Sequence, residues 1–303
     1  MNVYWEEQKI LLYSEFRDGN VPANFELLRV FKASLDKLPA GVITVCLRAD
    51  TAGYQEELLQ YCAEGEHAQY KKIEFSISVK VTKGFKEAVL ALEDTAWKNI
   101  EKVDQQGKTV ETKQQWAEVC FTPNWFVKNE SPCDYRFIAI REKMQPLKPT
   151  QSADKLGFQT ICIEEERYKI FGIVTNRTLP GNELIQWHRE RCGDSEKVHS
   201  IEKNELAGGQ LPSKLFGANA AWWQIMILAF NLNQLMKRLV LPEQFKAKGL
   251  KALRFHIIGV AGRMIKHARQ WRLRLSGGAK TLELFEKIRT KIACLAVPVI
   301  DSG

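Results

Sequence analysis

Two carboxylates stand where chemistry could gather. Asp50 follows the apolar run Gly41-Val-Ile-Thr-Val-Cys-Leu47 and opens the small-residue turn Thr51-Ala52-Gly53. Glu196 lies in the segment Trp187-His-Arg-Glu-Arg-Cys-Gly-Asp-Ser-Glu196-Lys-Val-His-Ser-Ile-Glu-Lys203. Carboxylate oxygens suit a hard divalent cation such as Mg²⁺ or Mn²⁺. Two such cations about 4 Å apart activate a nucleophile and stabilise the leaving oxygen of an in-line phosphoryl displacement. Glu196 and Lys203 are seven positions apart, which places them on one helical face two turns separated. One side chain would hold metal while the other reaches a phosphate. Residue type alone does not single these acids out, because the chain holds 36 Asp and Glu, and the ordinary alternative is a solvated surface carboxylate.

The flanking pattern supplies elements that would position both. Residues 4–17 have strand character and end in the turn Asp18-Gly19-Asn20. A helix is predicted over about 22–38, with Leu27, Leu28, Phe31, Leu35 and Leu38 at helical spacing and Pro39 and Gly41 ending it. The 41–47 run reads as a central strand covered on both faces. A short helix over 54–63 and an alternating strand over 73–81 follow. This order argues for an α/β sheet, in which sites collect at the C-terminal ends of strands. Asp50 is at such an end.

From 85 to 176 the chain reads as β-rich, with short strands at 116–121, 135–140 and 160–163 and a linker across Pro146–Pro149. A helix then starts at Pro180 or Asn182 and should stop at Gly208-Gly209. A second helix, about 218–239, is apolar nearly all round and reads as buried. Trp222 and Trp223 within it read as core, with base stacking as the alternative. The expected domains are a core over 1–84, the β-rich insertion over 85–176, helices completing the core over 177–240, and a basic region over 241–303.

The chain has 303 residues and a formal net charge of +8, which points to a polyanion. Hydrophobic residues make up 45%, enough for a folded core rather than disorder. Between Met236 and Lys291 fifteen Lys or Arg face only three acids. Arg272 and Arg274 share one face of a predicted strand, and with Arg269 they would track phosphates. Seven cysteines without a CxxC pair argue against a disulfide framework or zinc ribbon and fit a reducing cytoplasm. No N-terminal signal and no stretch of the roughly 20 apolar residues needed to span a bilayer is visible. His188, Cys192 and His199 offer metal-ligand types without an evident fourth member; a structural or phosphate-side role is the other reading.

The segment around Glu196 resembles bacterial insertion-sequence transposases of the DDE type, whose last acid lies in a Tyr-x2-Arg-x3-Glu-x6-Lys signature on an RNase H-like fold. Here Arg191, Glu196 and Lys203 take the last three positions and Glu-x6-Lys is kept. His188 stands at the Tyr position. Four residues separate Arg191 from Glu196, so the helix adjusts around Gly193 or Arg191 plays another part. Leu47-Arg-Ala-Asp50-Thr-Ala-Gly-Tyr54 looks like the segment around the second acid. Leu206-Ala-Gly-Gly-Gln-Leu-Pro212 and Phe216-Gly-Ala-Asn-Ala-Ala-Trp-Trp223 look like downstream helices of one branch. The 146 positions between Asp50 and Glu196 suit an insertion before the last acid.

The resemblance implies an RNase H-like mixed sheet with flanking helices, interrupted by a β-rich insertion and followed by a helical, basic C-terminal region. It implies strand cleavage and transfer at transposon ends with Mg²⁺ or Mn²⁺ on Asp50 and Glu196. It also implies double-stranded DNA as partner, a homo-oligomer on DNA and no membrane. The family's first acid lies upstream of the segment that begins here. The chain is therefore expected to be a C-terminal piece, unable to cleave DNA alone. A non-catalytic DNA-binding remnant and a nuclease of similar fold are the alternatives.

Overall fold

The computed structural model describes residues 1–103, 107–125, 135–145, 156–206 and 208–295. The expected Pro146–Pro149 linker lies outside them. The chain divides into two units, Val21–Asp194 and Met1–Asn20 with Ser195–Gly303.

The first unit is a mixed α/β layer structure. Its sheet has the order β3–β4–β9–β7–β6–β5, with β8 paired to β9. The strands are β3 (Cys46–Ala49), β4 (Glu74–Ser78), β5 (Lys98–Val103), β6 (Thr109–Val119), β7 (Arg136–Lys143), β8 (Thr160–Ile163) and β9 (Glu166–Thr175). β3 and β4 run parallel, and every other pairing is antiparallel. The β-rich stretch thus continues the sheet through the β4–β9 pairing. Helices flank it: α1 (Leu27–Leu35), α2 (Glu56–Glu64), α3 (Lys83–Leu90) and, up to Asp194, the first part of α4 (Gly181–Asn204).

Period-two alternation sorts the sheet's side chains between two covers. Phe137, Ala139, Ile170 and Val174 join the cluster packed by α1, α2 and α3, while Ile138, Ile140 and Ile173 meet Leu184 and Ile185 of α4. This is the RNase H-like arrangement of a mixed sheet with flanking helices. The ends of the helices follow local chemistry. The Thr82 hydroxyl accepts the Phe85 N–H at the start of α3. Gly65, at φ 76°, ends α2 in the left-handed region. The Leu184 N–H donates to the Pro180 carbonyl at 2.9 Å, so α4 begins at one of the two expected signals.

Gly181 is required there by packing. A Cβ at this position would meet the Trp116 ring at 2.2–2.6 Å. Gly181→Ala should lower stability by about 1–3 kcal/mol. An unchanged urea midpoint would mean that the indole swings aside freely.

In the second unit, β1 (Asn2–Trp5) and β2 (Ile10–Ser14) form an antiparallel hairpin. Leu11 of β2 and Met226, Ile227 and Phe230 of α5 (Phe216–Leu235) share one core with Val198 and Leu206. The Asn231 side chain pairs with both the N–H and the C=O of Leu11, each at 2.8 Å, and so satisfies backbone groups of β2. A second hairpin, β10 (Gly262–His267) and β11 (Gln270–Leu275), precedes α6 (Gly278–Ala293).

Three expectations are corrected. Residues 4–17 form two strands, because Glu6–Lys9 turns back with Lys9 at φ 56° and its N–H on the Glu6 carbonyl. The 41–47 run is not a central strand. Only Cys46 and Leu47 of it are in β3, which lies at an edge of the sheet among the described residues. Val45, Leu47 and Ala49 pack against the core, whereas Ile43 is 84% exposed, so the strand is covered on one face and not on two. Finally, α5 is not buried all round. Ile225, Leu228 and Leu232 are exposed, and Trp222 is partly exposed. Trp223 packs with the core and donates its indole N–H to Ser14 at 2.7 Å.

Candidate functional site

Asp50 is exposed at the C-terminal end of β3. It caps the turn Thr51–Gly53, its Oδ1 accepting the Ala52 N–H at 3.0 Å. The turn needs its small residues: a Cβ on Gly53 would lie 2.5 Å from that of Ala49. Parallel pairing with β4, in the register Leu47↔Phe75 and Ala49↔Ile77, fixes the strand that carries Asp50.

The neighbouring Arg48 ties β3 to α4. Its guanidinium donates to the Trp187 carbonyl, lies 3.4 Å from the Glu190 carboxylate and stacks 4.8 Å from the Trp187 ring centre. Arg177 also stacks on Trp187, at 4.2 Å. Burial lowers the Arg48 pKa below the usual guanidinium value, with Glu190 opposing that shift. Sequence reading missed Arg48 and Arg177. A basic residue inside an apolar strand, next to a candidate acid, was the available signal for Arg48.

His188 is buried at 6% exposure and bonds Ser76 and Ser78 of β4 at 2.9 and 3.0 Å. Burial, followed by the nearby Arg191 charge, pushes its pKa down to about 4. His188 therefore serves as a neutral link between α4 and the sheet. The metal reading of His188, Cys192 and His199 is not supported: His199 bonds Glu202 at 3.0 Å, and among the described residues no three His, Cys, Asp or Glu gather to hold an ion.

Glu196 and Lys203 are both exposed on α4, at the spacing that shares a face. The helix runs unbroken through Gly193, so the expected local adjustment does not occur. Residues five apart on a regular helix point about 140° away from each other, so Arg191, half-buried, does not share the face of Glu196. Asp50 belongs to the first unit, and Glu196 to the second. Arg272 and Arg274 stand exposed on one face of β11, and Arg269 occupies the β10–β11 turn.

No curated protein matched the chain. The model of the family described as "Transposase DDE domain group 1" matches residues 1–297. The chain belongs to this family. Membership of this transposase family implies a DNA substrate, and DDE transposases generally use divalent metal ions. Among its described residues no helix is long and apolar enough to cross a membrane.

Proposed function

We propose that this DDE domain binds transposon-end DNA and takes part in metal-dependent strand cleavage and transfer, with Asp50 and Glu196 as two of its catalytic carboxylates. Family membership along residues 1–297 carries the reading. The donor chemistry fits: both side chains offer exposed hard oxygens, the type that Mg²⁺ or Mn²⁺ prefers. A bound ion would polarise the phosphate and lower the pKa of an attacking water. Asp50 would offer a metal ligand from the end of β3, where the Ala52 N–H orients the carboxylate. Glu196 would offer one from α4, with Lys203 contacting a phosphate. Arg191 would meet DNA separately, and Arg269, Arg272 and Arg274 would contact the duplex, in an assembly of more than one copy. We read 1–84 and 177–240 as core, 85–176 as insertion and 241–303 as a DNA-facing region.

The test is a Mn²⁺ titration of the chain bound to duplex DNA, followed by the paramagnetic resonance of free Mn²⁺. Groups that merely support metal ligands are worth about 10- to 100-fold in affinity. Asp50→Asn and Glu196→Gln should each weaken binding by at least that lower figure, and the exposed control Glu57→Gln should not. Equal affinity in all three would overturn the assignment.

A further inference from the structure

We propose that the β10–β11 hairpin is a sequence-reading ribbon, which enters the major groove of duplex DNA with Arg263, Arg272 and Arg274 turned to the base edges. This rests on the DNA-binding reading above and goes beyond phosphate tracking. The register decides which side chains act together. Arg263 lies opposite Arg274, Ile265 opposite Arg272 and His267 opposite Gln270, so these six share one face. Met264 opposite Leu273 and Lys266 opposite Trp271 make the other.

The arginine face has no counter-charge within the hairpin. Residues 262–275 contain five Lys or Arg and no acid. Two like charges directly opposite on paired strands oppose the pairing. Such a face is completed by an anionic partner rather than by its own fold. Its arginines are exposed, and Ile265 is half-buried.

The shape selects duplex DNA and one groove. A six-residue strand extends about 20 Å, and the paired strand adds about 5 Å of width. A two-stranded ribbon fits the major groove, about 12 Å wide, where each base pair presents a distinct pattern, whereas the minor groove separates little more than A·T from G·C. The residue types on the face are those that discriminate bases: arginine forks to guanine, glutamine to adenine, and an apolar side chain against the thymine methyl. Gln270 and Ile265 stand beside the arginines for the last two. The turn is tight, with Ala268 at φ 49° and Arg269 at φ 63°, both left-handed as a two-residue hairpin loop demands. It places Arg269 at the tip, against the phosphates that flank the groove.

The experiment is selection of the 303-residue chain on a random pool of duplexes, repeated with Arg272→Lys and Arg274→Lys. Lysine keeps the charge and loses the bidentate fork. Wild type should enrich a motif containing guanines. Each variant should bind unselected duplex within about twofold of wild type, with an unchanged salt slope, and should lose preference at one motif position by about tenfold. Matching thermal melts would exclude misfolding. Binding without any enriched motif, or lysine variants that keep the wild-type motif, would overturn the ribbon while leaving DNA binding intact. No binding of wild type to any duplex at low salt would remove the DNA reading itself.

Discussion

Phe75→Ala is expected to lower the stability of the Val21–Asp194 unit by about 3–5 kcal/mol, the range for removing a fully enclosed phenyl ring. Phe75 is fully buried, second of the five residues of β4. It packs edge-on to Tyr135 at 5.4 Å, and in the parallel register it faces Leu47 of β3. Its backbone is also committed: the N–H donates to Asn176 and the carbonyl accepts from Thr175. The surroundings are held from several elements and have little freedom to collapse into the space left behind. The measurement is the urea midpoint of the unit's unfolding. Ile43→Ala, at an 84% exposed position, should stay within about 0.5 kcal/mol of wild type. A Phe75 loss below about 1 kcal/mol would show that the sheet around β4 repacks, and β3 would then be a poor anchor for Asp50.

That anchor was only half legible in the sequence. The strand-then-turn pattern before Thr51-Ala52-Gly53 places Asp50 at a strand end, and it stands there. The same run suggested a central strand, because apolar composition does not distinguish a strand covered on two faces from an edge strand whose odd positions face the core and whose loop residue Ile43 is exposed. The strands at 135–140 and 160–163 were readable because alternation is local. The start of α4 was readable because Pro180 is a local signal. What no local pattern carries is the meeting of Arg48 with Trp187, 139 positions later. Nor could spacing decide between a helix bent at Gly193 and a regular one. The regular helix separates Arg191 from Glu196, and the signature's arginine then needs a role of its own.

The α5 face makes the same point from the opposite side. Its composition is apolar all round, but Asn231 and Trp223 spend their polar groups on β2, which marks the covered side. Ile225, Leu228 and Leu232 lie away from it and are exposed. A polar residue's hydrogen bond, rather than the apolar count, distinguishes the inner face.

His188 yields the second large effect, and its sign follows from its surroundings. Burial first, then Arg191, and more weakly Arg48 and Arg189, hold the ring neutral with a pKa of about 4, against an ordinary 6.5. The unfolded chain therefore binds a proton more readily than the folded one. Stability from this residue is fully present above the unfolded value and is lost as pH falls from about 6.5 towards 4. By pH 4 the linkage amounts to about 3 kcal/mol. Other groups titrate in the same window, so the comparison must be with His188→Gln, which can still bond Ser76 and Ser78 but carries no titrating proton. Urea midpoints at pH 7 and pH 4.5 should fall further for wild type than for the variant. Parallel losses in the two proteins would mean that the imidazole accepts its proton within the fold. In that case the contact of α4 with β4 would tolerate a charge next to three arginines, and the neutral link proposed for the signature's first position would be wrong.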